Sequence, residues 1–292
     1  MDTPTRGTAE PFRGSLAVRL GLLTKDRLRG PDFRRLHRDT YVGSDTDVDV
    51  RMRVQALDVW SRGRAVVAGP LAALAFGADC PWEDAEVVLP SHCRLPPEGL
   101  GVRTDLLPDD EVAERFGCRI TSPVRTAFDL ARRPPTTEAV AAVDSLARVG
   151  RFSAAHLTTL AGRHPSVRGA VQVRTVLGLM DPRAESLPET RLRVGLLERG
   201  VPPGVPQLWV TLRNGDRKRL DLAWPESMVA LEYDGPEHRS ITGQNRDAFD
   251  RARLEDLGWN IGVVTSAMLA DARAFDELAG RVRRKVGCAR TL

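Results

Sequence analysis

The sequence predicts an α/β protein of the α+β kind, built as two domains. Three observations carry that expectation. Stretches of helical periodicity alternate with short apolar β runs through the first 180 residues. The last third reads in the order α-β-β-β-α-β-α, with Asn214-Gly215 as a hairpin signal inside it. The 292 residues suffice for two domains of about 100–200 residues each.

In chain order, "GSLAVRLGLLTKDRLRGPDFRRLHRDTYVG" predicts two short helices and a strand at Thr40–Val42, with Thr24 capping the second helix. Helix, turn, helix and an Arg-rich β segment suggest a small winged helix over residues 12–45, a fold that places a helix in the DNA major groove. An α/β module follows over 46–180. "DVRMRVQALDVW" and "GPLAALAFG" are helical, and "AEVVLP" and "GLGVRTDLL" are strands. Ser122-Pro123 starts the helix in "ITSPVRTAFDLARR", and Gly150 stops the amphipathic "TTEAVAAVDSLARVG". Two more helices come from "FSAAHLTTLAGRHPSVRGAVQVRTVLGLM". The boundary falls in "MDPRAESLP", so the second domain is 181–292. There "PETRLRVGLLERG" is a helix, and "PQLWVTL", "RKRLDLAW" and "MVALEYDG" form a three-stranded meander. "NRDAFDRARLEDLG" is a helix, "NIGVVT" a strand and "SAMLADARAFDELAGRVRRKV" one closing helix, making a mixed sheet.

Composition excludes some classes. A content of 42% hydrophobic and 28% charged residues fits a folded globular chain. No run approaches the ~20 apolar residues of a membrane span, and "MDTPTRGTAEPFRG" lacks a signal-peptide core, so a cytoplasmic location is expected. Cys80, Cys93, Cys118 and Cys288 form no CxxC pair, which argues against a thiolate zinc site. The net charge of +4 permits a nucleic-acid partner. Only Lys25, Lys218 and Lys285 are lysines; the arginine excess reads equally as phosphate contact or as GC-rich coding.

The chemistry concentrates in "MVALEYDGPEH". Glu232 and Asp234, two apart in a strand, share a face, and Asp221 lies on the preceding strand. Asp221 and Glu232 meet on one face if the four residues Pro225–Met228 form the loop and Trp224 pairs with Val229. Carboxylates gathered in this way either rise in pKa or take a cation, and an oxygen-rich set suits Mg²⁺ or Mn²⁺. Solvated acids at a strand end are the alternative.

Asp221 and Glu232-x-Asp234 on consecutive strands, after a helix carrying Glu189, resemble the PD-(D/E)xK nucleases, and more narrowly the bacterial domains related to very-short-patch repair (Vsr) endonucleases. The resemblance rests on "SLPETRLR", "RLDLAW", "VALEYDGPEH" and "RARLEDLGWNIGVVT". It implies a restriction-endonuclease-like fold and Mg²⁺-dependent hydrolysis of a DNA phosphodiester, in repair or phage defence. Asp221 and Glu232 would hold the metal, with Glu189 completing the cluster or holding a metal-bound water. Asp234 stands where the superfamily carries lysine, and His238 would serve as base or water-holder. Lys218 and Arg219 would reach phosphate; Arg246 and Arg251 would touch DNA or pair within their helix.

The front half resembles AbiEi-type antitoxin and transcriptional-regulator proteins, through "GLLTKDRLRGPDFRRLHRDTYV", "GPLAALAFG" and "ITSPVRTAFDLA". That resemblance implies DNA binding, with Arg27, Arg29, Arg34 and Arg35 as phosphate contacts, and a cognate toxin or a second copy of the chain as partner. Two functions therefore stand side by side: a metal-dependent endonuclease with a DNA-binding module, and a DNA-binding regulator or antitoxin with an inactive nuclease-like domain.

Overall fold

Gly14 opens the first helix because a larger residue has no room there. A Cβ at that position would lie 2.6 Å from both Leu28 and Tyr41. The computed structural model describes residues 4, 8–93, 96–235 and 249–287. The chain divides into two units, Met1–Arg133 with Val149–Leu177, and Pro134–Arg148 with Gly178–Leu292.

The first unit begins with β1 (Phe12–Arg13), α1 (Gly14–Arg19), α2 (Lys25–Arg29), β2 (Phe33–His37) and β3 (Thr40–Gly43). The strands form an antiparallel sheet in the order β1-β3-β2. Ala17, Leu23, Leu28 and Phe33 make its small core, and the Thr24 hydroxyl accepts the Arg27 N–H at 3.2 Å, capping α2. Helix–turn–helix followed by a hairpin is the winged-helix-like order expected. The single strand expected at Thr40–Val42 is instead a pair, turned at Asp39 (φ 61°).

Next come α3 (Val50–Ser61), β4 (Val66–Ala68), α4 (Gly69–Ala75), β5 (Ala85–Leu89), β6 (Leu100–Thr104), β7 (Val112–Arg115), β8 (Cys118–Thr121) and α5 (Pro123–Ala131); after α6 (Thr136–Gly150), which belongs to the second unit, come α7 (Ala154–Arg163) and α8 (Ala170–Leu179). The five strands run in the order β6-β5-β4-β8-β7, mixed parallel and antiparallel. Strands β4, β7 and β8, of three or four residues each, are too short to show a period in sequence.

Helix α5 carries Arg125 and Asp129 one turn apart, both buried, in the middle of this unit. Arg125 donates to Glu111, to Asp129 at 3.2 Å and to Asp105 at 3.3 Å. Arg103 grips the two Asp129 oxygens at 2.7 Å each. Burial alone pushes the Asp129 carboxyl up; the Arg103 bonds and the charges of Arg103 and Arg125 outweigh it and hold the group below the usual carboxylate range. His164 adds a contact at 2.9 Å to Glu111, which is 1% exposed.

The second unit contains α6, α9 (Leu187–Glu198), β9 (Val205–Thr211), β10 (Arg217–Trp224), β11 (Val229–Asp234), α10 (described over 249–255), β12 (Asn260–Thr265), α11 (Ser266–Ala270) and α12 (Ala272–Gly287). Its sheet runs β12-β11-β10-β9, with the meander antiparallel and β12 parallel to β11. Helix α6, placed by its sequence in the first domain, is held to α9 in this unit. Its buried Asp144 accepts from Arg193 at 2.7 Å, Thr190 at 2.9 Å and the Asp181 N–H at 2.6 Å. The single closing helix expected over 266–286 is broken at Asp271, whose carboxylate caps a new start by accepting from Arg273 and Ala274 N–H at 2.9 and 3.2 Å. No described helix is long and apolar enough to cross a membrane.

Arg125→Met would strand Glu111 and Asp129 as buried, under-paired charges. We expect a loss of about 3–5 kcal/mol in urea unfolding followed by tryptophan fluorescence; a wild-type midpoint and slope would contradict this account of the network.

Candidate functional site

Two places carry the residues singled out in the sequence. The first is the polar region of the second unit's sheet. The loop after β10 spans Pro225–Met228, with Met228 left-handed (φ 51°), and Trp224 pairs with Val229, the register that the sequence argument requires. Extending that ladder by one step brings Asp221 alongside Glu232. The alternation along β10 is less regular than expected. Leu222 and Trp224 pack with Leu192, Val229 and Phe275, whereas Leu220 joins Ala223, Ala230 and Leu254 in a separate cluster. The disturbance lies at Asp221 and its neighbour across the strands, Gln207. Neither is in the β9–β10 ladder, and Gln207 is left-handed (φ 54°).

Glu189, Asp221 and Glu232 are close enough to feel one another. Burial pushes the Asp221 carboxyl up to about 6; a hydrogen bond from the Tyr233 N–H opposes the rise, and the charges of Glu189 and Glu232 add to it. Each acid nevertheless has a partner of its own. Asp221 Oδ2 accepts the Tyr233 N–H at 2.8 Å. Glu189 accepts from Ser186 Oγ at 2.9 Å, from the Glu185 N–H at 3.0 Å and from Gln207 Nε2 at 2.6 Å. The Ser186 hydroxyl in turn takes the Glu189 N–H at 3.4 Å, so Ser186 and Glu189 cap the start of α9. Glu232 lies 3.7 Å from Arg251.

These donors bear on the metal that the nuclease resemblance implies. Both Glu189 oxygens already face N–H or O–H donors, and a guanidinium stands beside Glu232. Among the described residues, no three His, Cys, Asp or Glu side chains are grouped so as to hold a metal ion. Mg²⁺ or Mn²⁺ here would compete with the donors that Glu189, Asp221 and Glu232 already face.

The other residues named for this region take separate places. Asp234 is exposed at the end of β11. Lys218 lies 3.6 Å from Asp250 on α10. Arg219 makes a fork with Glu185 at 2.7 and 2.5 Å and stacks over Trp209. Arg251 lies 3.7 Å from Glu232. His238 and Arg246 lie outside the described residues. Sequence reasoning missed Gln207 and the exposed Trp209, flanked by Arg217 and Arg219 at 4.8 and 5.5 Å. An outward-facing Trp in a strand was the available signal.

The second place is the front of the first unit. Leu28 is buried while Lys25, Arg27 and Arg29 are exposed, so α2 turns its basic residues to solvent. Arg34 and Arg35 are both exposed on β2. Arg27 sits 3.6 Å from Asp32, and Arg34 donates to the Thr46 carbonyl at 2.8 Å. Arg29 and Arg35 have no ion-pair partner among the described residues, and their forks are open to an anion.

Comparison with known proteins bears on this first unit and on the chain as a whole. Residues 65–179 match the family profile of the AbiEi antitoxin C-terminal domain. Two uncharacterized proteins of Mycobacterium tuberculosis, MT2308 and Rv2248, are each 30% identical to the chain over 252 residues, covering 83% of it and 89% of their own length. These comparisons give no support to a Vsr-like nuclease domain.

Because Asp221 is held above the value of about 3.9 it has in an unfolded chain, its ionised form opposes folding. That penalty is absent below pH 4, grows as pH rises through about 6 and is complete above it. Asp221→Asn, whose amide oxygen can still take the Tyr233 N–H, should stabilise the protein by about 1–3 kcal/mol at pH 7.5, with the gain shrinking toward pH 4 in urea titrations. Added Mg²⁺ should leave the wild-type melting temperature unchanged; a rise lost in Asp221→Asn would mean that the three acids do hold a cation. By sequence and by the 65–179 match together, the chain belongs to the same family as the two mycobacterial proteins and carries a region of the AbiEi antitoxin C-terminal type.

Proposed function

We propose that the protein is a DNA-binding regulator of the antitoxin type. One observation supports this reading above the others. The segment matching the AbiEi antitoxin C-terminal domain, residues 65–179, lies beyond α3 from a helix–turn–helix and hairpin whose α2 and β2 present arginines to solvent. In this reading Arg27, Arg29, Arg34 and Arg35 contact phosphates and set the position of α2 on the duplex. A protein toxin is the second partner that an antitoxin-type role brings with it.

Metal-dependent hydrolysis of DNA is the second reading, favoured by the mutual influence of Glu189, Asp221 and Glu232. We set it below the first, because hydrogen-bond donors and Arg251 already occupy these carboxylates. Plasmid nicking in Mg²⁺ that Glu232→Ala abolishes would reverse that order.

Arg27→Glu combined with Arg29→Glu should weaken binding to the promoter DNA of the protein's own gene by at least tenfold in gel-shift titrations. The slope of log K against log[salt] should become shallower by about 2, one unit for each cation removed. Unchanged DNA affinity in a normally folded double variant would defeat the proposed role of α2.

A further inference from the structure

The hairpin turn between β2 and β3 borders a cleft of about 600 Å³, walled on its other side by the end of α3 and the segment after β5. Its lining includes Arg13, Arg38, Arg62, Arg64, Trp60 and His92. Asp39 is the one carboxylate in the lining, and its oxygens are taken up within the protein: Oδ1 accepts the Ser15 N–H at 2.7 Å, and Oδ2 accepts the Ser15 hydroxyl at 2.6 Å and lies 3.6 Å from Arg13. Arg64 is oriented by a bond of 3.0 Å from its Nε to the Ser61 carbonyl. Among the described residues, the side chains of Arg38 and Arg62 have no hydrogen-bond or ion-pair partner. Four arginines thus line one cavity beside a single, already engaged carboxylate.

Cations lining one cavity favour an anion that joins them. Arginine forks suit the paired oxygens of a phosphate better than a point charge would. The cavity falls in the range of about 300–1,000 Å³ typical of small-molecule sites, more than a bare inorganic anion requires. Half-buried Trp60 adds an apolar wall against which a sugar or base can lie. We infer that this cleft binds a phosphate ester, its phosphate held by Arg38 and Arg62 with Arg13 and Arg64 behind them. The source is either a free nucleotide or the phosphodiester backbone of DNA. The inference stands apart from the proposed role of α2, since it uses none of Arg27, Arg29, Arg34 or Arg35.

The test uses the full chain. Adenosine 5′-monophosphate and adenosine are titrated by calorimetry, and duplex DNA by fluorescence anisotropy, into the wild type, Arg38→Glu/Arg62→Glu and the milder Arg62→Gln. The inference expects the nucleotide to bind and the nucleoside not to, with affinity falling at least tenfold in the double variant and severalfold in Arg62→Gln. If DNA is the source, the same losses appear in the anisotropy titration and the mononucleotide does not bind. The inference is overturned if variants that melt like the wild type keep its affinity for both probes, or if adenosine binds as tightly as its phosphate. Failure of the α2 reading is separate: there Arg27→Glu/Arg29→Glu leaves DNA affinity intact whatever the cleft variants do.

Discussion

The front of the first unit depends on how Asp39 is bonded. At the tip of the β2–β3 turn, the Asp39 carboxylate takes the N–H and hydroxyl of Ser15, and its carbonyl takes the Gly14 N–H at 3.1 Å. These bonds satisfy N–H groups at the start of α1 that no helix can bond internally, and they place a negative charge where the helix dipole favours it. They also tie the hairpin to the helices. Gly14 leaves no room for a side chain beside Leu28 and Tyr41, and α2 sits with Leu28 inward and Arg27 and Arg29 outward. The left-handed backbone at Asp39 suits Asp better than most residues, because its short side chain can bond locally.

The second unit shows a different use of charge. A helix start needs an acceptor, and Ser186 with Glu189 supplies it. A sheet edge disturbed at Gln207 needs its amide satisfied, and the same Glu189 accepts from it. Arg251 sits beside Glu232. The Tyr233 N–H donates to Asp221, so each of the three acids that read in sequence as one constellation has a local partner. At Asp221, burial raises the carboxyl pKa and the charges of Glu189 and Glu232 add to that rise.

Much of the fold was legible because its signals are local. Asn214-Gly215, the Thr24 cap, the Ser122-Pro123 start and the pairing of Trp224 with Val229 across Pro225–Met228 each depend on a few adjacent residues, and each is present in the structure. What escaped is set by distant contacts. The helix over 136–150, placed by its sequence position in the first domain, joins the second unit because Asp144 finds Arg193 and Thr190. Strands of three or four residues show no period. At the candidate site, Asp221 and Glu232 were legible as neighbours, but not the donors around them. The Ser-x-x-Glu spacing at 186–189 was a capping signal in plain view. The donation from Gln207 depends on a backbone kink that no residue type announces.

The central proposal is that this chain grips DNA through exposed arginines of α2 and β2 and needs no divalent metal to do so. Its most direct test is the wild-type affinity for promoter duplex across a range of NaCl concentrations, with chelator present throughout. The account predicts tight binding without divalent metal and a straight fall of log K with log[NaCl], at a slope of about −3 to −4 for some four phosphate contacts. Binding that requires Mg²⁺, or an affinity indifferent to salt, would contradict it.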